Sequence, residues 1–348
     1  MKKTLFISAS ILFILVLAGS YSVWNTADPG NTCARCHEIS PSHAQWLSSA
    51  HAGIRCTECH GTALSGGIHS MMEKMDMVYT HYTKKVQNDD IHLNEQQVLE
   101  INNRCIACHQ SEYAGWLRSG HAVNYKEIFL DSTHNAMEKP YWDCLRCHGM
   151  FYDGNINQLM NLDGDYTQWK IRDKKQEMHP AIPCLSCHQI HTENERSERY
   201  IALNDSSRSV NERNPLTALY VRAEKMYLRS DMLPETRMFD GDKEITLPSD
   251  PSTRLCMQCH APDFKHQAGS EDDRTVTGVH EGISCIACHQ PHSGETKASC
   301  AKCHPSLSDE QIEMVFKQPH SYNIRVTCPS MSSTILSIPK KEELKHKS

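Results

Sequence analysis

The 348-residue sequence predicts a mostly α-helical and irregular fold, with one N-terminal transmembrane helix and little or no β-sheet. Three observations predict it. The stretch from Thr4 to Trp24 is predominantly apolar. The pattern Cys-x-x-Cys-His occurs eight times after it. The rest of the chain is polar, with a mean hydropathy of -0.56 and only 7% aromatic residues, which is too little to build a large core of its own.

The N-terminal element comes first. Lys2 and Lys3 precede an apolar run from Leu5 to Gly19, extending with interruptions to Trp24. About 20 apolar residues suffice to cross a bilayer, and Tyr21 and Trp24 would sit at the far interface as aromatic belts do. A cleavable secretory signal is the other reading, with Ala18-Gly19-Ser20 as its small-residue exit. In either case the lysines place the N-terminus inside and the rest of the chain outside the cytoplasm.

The motifs come next. They are Cys33-Cys36-His37, Cys56-Cys59-His60, Cys105-Cys108-His109, Cys144-Cys147-His148, Cys184-Cys187-His188, Cys256-Cys259-His260, Cys285-Cys288-His289 and Cys300-Cys303-His304. Cys-x-x-Cys-His is the attachment pattern of c-type haem. Thiols three positions apart lie on one side of a helical turn, where both can reach the vinyl groups of one porphyrin. The His that follows then ligates the iron. Zinc ribbons also use Cys-x-x-Cys pairs, but they need no His after every pair. The motifs use 16 of the 17 cysteines, leaving Cys328, so intramolecular disulfides have no part and thioether-bound haem is the covalent staple. Eight covalent haems are therefore expected. With roughly 38 residues per motif outside the motifs themselves, the porphyrins must supply much of the buried apolar surface, and the chain should wrap on an eight-haem array. The formal charge of -6 excludes the haem propionates, so the loaded protein is more acidic still, which argues against nucleic acid as a partner.

Histidine supplies the second axial ligands. Eight of the 22 lie in motifs, and His346 lies in a basic tail. Two internal repeats single out others. Trp46-Leu47-Ser48-Ser49-Ala50-His51 matches Trp116-Leu117-Arg118-Ser119-Gly120-His121, each following a motif. The segment His179 to His191 around the fifth motif matches His280 to His292 around the seventh. A His at a fixed distance from a haem motif reads as a ligand, which gives His51, His121, His179, His191, His280 and His292, followed by His266 and His320. His43, His69, His81, His92 and His134 form a second group outside these repeats. Iron with His on both sides is low-spin and exchanges electrons with little rearrangement.

The domain reading follows the motifs. Residues 1–25 are the anchor or signal peptide, 26–150 a four-motif domain, 151–325 a second four-motif domain, and 326–348 a basic tail. The motif-poor insert 192–255 is polar, ends in Pro248-Ser249-Asp250-Pro251, and reads as a linker or lid. Asn214-Pro215 would open a helix with Leu216, Leu219, Tyr220, Ala223 and Tyr227 on one face. Ser308 and Gln311 form a capping box ahead of a helix ended by Pro319.

The first 148 residues resemble the NapC/NirT/NrfH family of membrane-anchored tetrahaem quinol dehydrogenases. The likeness is carried by the apolar segment just before the first motif, four Cys-x-x-Cys-His motifs, and the string Cys33-Ala34-Arg35-Cys36-His37-Glu38-Ile39-Ser40-Pro41 followed by Ser49-Ala50-His51-Ala52-Gly53-Ile54-Arg55-Cys56-Thr57-Glu58-Cys59-His60-Gly61. The resemblance implies a retained anchor. It also implies a quinol site near the first haem, with Lys74 and Asp76 as the family's Lys and Asp. Where several members carry a ligating Met two residues after the first haem His, this chain has Ile39. Residues 179–304 resemble the His-x4-Cys-x2-Cys-His arrays of periplasmic multihaem electron carriers.

The expected function is electron transfer from membrane quinol, with menaquinol the expected form, to a periplasmic or extracytoplasmic redox protein or reductase. The enzymatic activity such a chain could carry is that of a quinol dehydrogenase. The alternative is an octahaem terminal reductase of the nitrite, hydroxylamine or tetrathionate type with one open haem. Tyr200, Arg222, Tyr227 and Arg229 in the insert could then cover the open site. The Cys-x-x-Cys-Lys motif of some such enzymes is absent, since all eight motifs end in His.

Overall fold

The computed structural model describes residues 2–65, 68–83, 92–191, 217–235, 238–240, 242–260, 280, 282–293 and 296–312. The chain forms two compact units. One comprises residues 1–108 with 189–216, and the other 109–188 with 217–348. The expected boundary at 150/151 falls inside the second unit.

In the first unit, α1 (Lys2–Thr26) is a continuous, largely apolar helix, exposed along most of its length, with Ser10, Tyr21 and Asn25 half-buried. It is long and apolar enough to cross a membrane; a signal sequence would have the same properties. Near its C-terminal end the Tyr21 hydroxyl donates to Thr62 Oγ1 at 2.7 Å. After α2 (Ser40–Leu47) comes α3 (Cys56–His60), which is the second motif itself. Gly61 ends it at φ 69°, where a Cβ would collide with Ser65 and the Arg104 guanidinium. Next come α4 (Ile68–Thr83) and α5 (Glu95–Cys105). A capping box of Asn94 and Gln97 starts α5, which buries Val98 and Ile101 and delivers Cys105 at its last position. Arg104 donates to the Cys59 carbonyl at 2.9 Å, tying α5 to α3.

The second unit carries the protein's main apolar cluster: Tyr125, Phe129, Leu145, Ile156, Leu159, Met160, Ile171 and Ala181. These side chains come from α7 (Tyr125–Phe129), α9 (Cys144–Cys147), α10 (Ile156–Leu159), the short ribbon β1 (Met160–Asn161) with β2 (Lys170–Ile171), and the strap that leads to the fifth motif. Leu145, fully buried, lies between the two cysteines of the fourth motif. Gly149, directly after His148, sits at φ 101° with the Tyr125 ring 3.0 Å from where a Cβ would be. The core thus grips a haem motif from both ends. α6 (Gln110–Trp116) and α8 (Ser132–Met137) complete this part.

Two expectations are corrected here. The helix expected from Asn214 is a β-hairpin over its described residues, with β3 (Ala218–Val221) antiparallel to β4 (Met226–Arg229). Its burial alternates, Ala218 and Tyr220 inward, which is a period of two and not 3.6. The Ala218 amide donates to the Cys187 carbonyl, and the Tyr227 hydroxyl to the Leu185 carbonyl, so a strand partner inside the fifth motif decides the conformation. The described part of the 192–255 insert is also no simple linker. Besides the hairpin and a ribbon of β5 (Met238–Asp240) with β6 (Lys243–Ile245), Asp250 caps the helix Pro251–Cys256, which leads straight into the sixth motif. Residues 192–216 lie outside the described residues, as does the basic tail with Cys328. Sheet is otherwise confined to these two-stranded ribbons among the described residues. The capping box of Ser308 and Gln311 forms, each side chain accepting from the other's amide.

Candidate haem-binding sites

Each motif folds as a single turn. In the fourth to eighth motifs the His amide donates to the carbonyl of the first Cys, at 2.8–3.1 Å, so both thiols project from one side and the imidazole follows. The same turn forms as a 3-10 segment at Cys33–Arg35, and the third motif continues the end of α5. The cysteines described are all free thiols.

Motifs distant in sequence are brought side by side. The Cys33 and Cys56 thiols share a hydrogen bond, as do Cys147 with Cys259 and Cys256 with Cys285. The shared proton splits two of these pairs. The bond from Cys56 holds Cys33 down near 6 while Cys56 is pushed up, and Cys285 is likewise near 6 against a raised Cys256. Cys59 feels the charge of Cys108, and Cys288 that of Cys300 and Cys303. The cysteines of the first three motifs are therefore neighbours in one unit, and the fourth, sixth, seventh and eighth motifs form a second series.

Histidines from elsewhere face the motif histidines. The ring centroids of His60 and His191 are 6.1 Å apart, those of His121 and His260 5.9 Å, of His188 and His292 5.9 Å, and of His280 and His304 6.1 Å. Two imidazoles bonded on opposite sides of one metal, each through a nitrogen about 2 Å away, have centroids about 6 Å apart. The spacing fits an iron between each pair. A fifth pair, His37 and His81, stands at 5.4 Å. Glu38, almost fully buried, accepts from His81 Nδ1 at 2.8 Å and lies 3.3 Å from His37 Nε2. Burial pushes the Glu38 carboxyl up, but its own amide and His81 outweigh this and hold it below the usual range. A carboxylate on Nδ1 fixes the ring's tautomer and leaves Nε2 to face a metal.

Burial also sets the protonation of these rings. It pushes His60 down to about 3, with the neighbouring His191 adding to the effect, and His148 down to about 4, helped by His260 and His134. His121, His191 and His260 are lowered for the same first reason. All are neutral at pH 7, the form that binds metal. The Nδ1 atoms of His148 and His191 are buried and accept or donate no hydrogen bond among the described residues.

Of the histidines singled out by the repeats, His121, His191, His280 and His292 each stand opposite a motif His. His51 shares the local geometry of His121. In both copies the Ser hydroxyl (Ser49, Ser119) donates to the Trp carbonyl at 2.8 Å and accepts from the His amide at 3.1 Å. His179 lies with its Nδ1 buried and its ring 6.1 Å from Tyr125. His266 and His320 lie outside the described residues. Neither His81 nor His134 belongs to a repeat. The structure places His81 against His37 and His134 near His148. The signal available for His81 was its seven-residue spacing from Lys74 on one helix, which puts both on the side of α4 that faces the first motifs. Lys74 is close enough to Cys33 and His60 to act on both electrostatically. Asp76, two residues on, points elsewhere and is exposed, so Lys74 and Asp76 do not form a facing pair.

Residues 239–305 match the family model of cytochrome c7 and related cytochrome c, a window that holds the sixth, seventh and eighth motifs. The match supports a multihaem c-type cytochrome with covalently bound haem and an electron-transfer role. No curated protein matches the chain, and no solved structure does.

Proposed function

We propose that this chain is a membrane-anchored octahaem cytochrome that conducts electrons from membrane quinol to an extracytoplasmic redox partner. The observation that carries the reading is the set of His–His pairs at about 6 Å. An iron held by such a pair would have no side open to a substrate, which favours conduction over terminal reduction.

The cysteine pairs would hold the porphyrins by thioethers, with His37, His60, His109, His148, His188, His260, His289 and His304 on one face. His81, His191, His292, His121 and His280 would close the other face of the first, second, fifth, sixth and eighth haems. His134 would serve the fourth. His51, by the local structure it shares with His121, and His179, by its repeat with His280, would serve further haems. Haem held between two imidazoles supplies one-electron chemistry at potentials set by ligation and burial. The chain's own part is to fix ring orientation, as Glu38 does for His81.

Quinol oxidation would occur beside the first two motifs. The Lys74 ammonium favours the ionised form of a quinol hydroxyl, and the exposed Asp76 would pass its proton to solvent. The anchor α1 would hold this unit at the membrane that carries the quinol.

Two measurements on protein matured with haem test the proposal. Intact mass should exceed the polypeptide by eight haems, and the low-temperature EPR spectrum of the oxidised protein should be low-spin. A high-spin signal of one haem equivalent or more, persisting across preparations, would overturn the conduit in favour of a reductase.

A further inference from the structure

We infer that α4 lies in the interface of the lipid bilayer, as a second membrane contact beside α1. The inference rests on the reading of α1 as a retained anchor. At about 100° per residue, Met71, Met72, Met75, Val78, Tyr79 and Tyr82 fall on one stripe of α4. All six are exposed, from 39% at Met71 to 81% at Tyr82. Lys74 and His81 fall on an adjoining side and face the first motifs, and Asp76 lies on the remaining, polar side. A haem between His37 and His81 would meet the His81 side and leave the methionine–tyrosine stripe uncovered.

An apolar stripe this long on a folded unit needs a cover. The occupant that the structure favours is lipid. Tyr21, near the outer end of α1, is hydrogen-bonded to Thr62, so Thr62 stands where α1 leaves the bilayer. α4 starts six residues later, at Ile68. Six residues reach at most about 20 Å, which keeps the start of α4 close to the headgroup layer. The stripe also has an interfacial composition. Flexible methionines would sit among the acyl chains, and two tyrosines would each offer an apolar ring with a wet hydroxyl. With the stripe in lipid, the side carrying Lys74 turns toward the first motifs at the depth from which a quinol headgroup emerges.

The test uses the full-length haem-loaded protein in phosphatidylcholine–phosphatidylglycerol liposomes, labelled with a carbene photoprobe that partitions into the acyl region. Labelled residues are mapped by mass spectrometry. The exposed Trp142 and Met178 serve as controls outside this unit. Labelling of α1 together with Met72, Met75, Val78 and Tyr79, about tenfold above the controls, supports the inference. Met75→Asp with Val78→Asp should then remove the α4 labels and leave α1 labelling and the haem absorbance unchanged. Labelling of α1 without α4 overturns the interfacial helix and leaves the anchor standing. A dimer in detergent with the stripe protected assigns the face to a second copy and overturns it equally. Absence of label from both helices overturns the anchor, and this inference with it.

Discussion

Replacing His121 by Ala should convert one haem, and only one, to a high-spin or water-ligated form. His121 faces His260 at 5.9 Å, so the site affected is that of the sixth motif. The covalent attachment through Cys256 and Cys259 is untouched, so mass should still show the full haem complement. With eight sites, high-spin intensity should rise to about one-eighth of total haem, and low-spin intensity should fall by the same share. Added imidazole should restore the low-spin signal, since the vacated volume is that of the lost ring. The hydroxyl of Ser119 makes two hydrogen bonds around this residue, each worth about 1 kcal/mol, so Ser119→Ala should weaken closure of His121 on the iron by roughly thirtyfold without opening the site in the oxidised state. EPR with a redox titration of both variants reads these outcomes. An unchanged spectrum in His121→Ala would refute the ligand assignment, and loss of haem from the polypeptide would show that His121 acts in folding instead.

Three further predictions follow from particular contacts. Leu145→Ala, at a fully buried position inside the fourth motif, should cost about 2–5 kcal/mol in urea unfolding of the haem-loaded protein; a cost below about 1 kcal/mol would mean the cluster around Tyr125 collapses onto the cavity. Asp250→Ala should cost about 1 kcal/mol at neutral pH through loss of the cap on Pro251–Cys256. Burial raises the Asp250 carboxyl, but its bonds to Thr253 outweigh this and depress it, so its contribution is full above the ordinary Asp range. That contribution should fade as pH falls through the depressed value, and a stability difference that persists unchanged at low pH would contradict it. Lys74→Ala should slow reduction of the membrane-bound protein by a menaquinol analogue while dithionite reduction stays normal. Asp76→Asn should have the smaller effect, because Asp76 is exposed and faces away from Lys74. Equal wild-type rates in both variants would move the quinol site elsewhere.

The sequence by itself determined the chemistry. Attachment of haem needs two thiols and an imidazole within five residues, and so short a pattern is complete in one dimension. The apolar segment from Thr4 to Trp24, the cap at Ser308, and the paired turns at His51 and His121 were legible for the same reason, since each is closed by residues within a few positions. Tertiary structure decided what depends on partners far along the chain. The segment from Ala218 to Arg229 has residues that serve a helix or a strand, and docking against Cys187 and Leu185 chose the strand. The His facing a motif His stands 24 positions away for His280 with His304 and 139 for His121 with His260, so no spacing rule names it. His81 shows the same limit. It has no repeat copy, and only the approach of α4 to the first motif, with the buried Glu38 between them, brings it to His37. Local spacing fixes which atoms can bind, while packing of helices fixes which two of them meet.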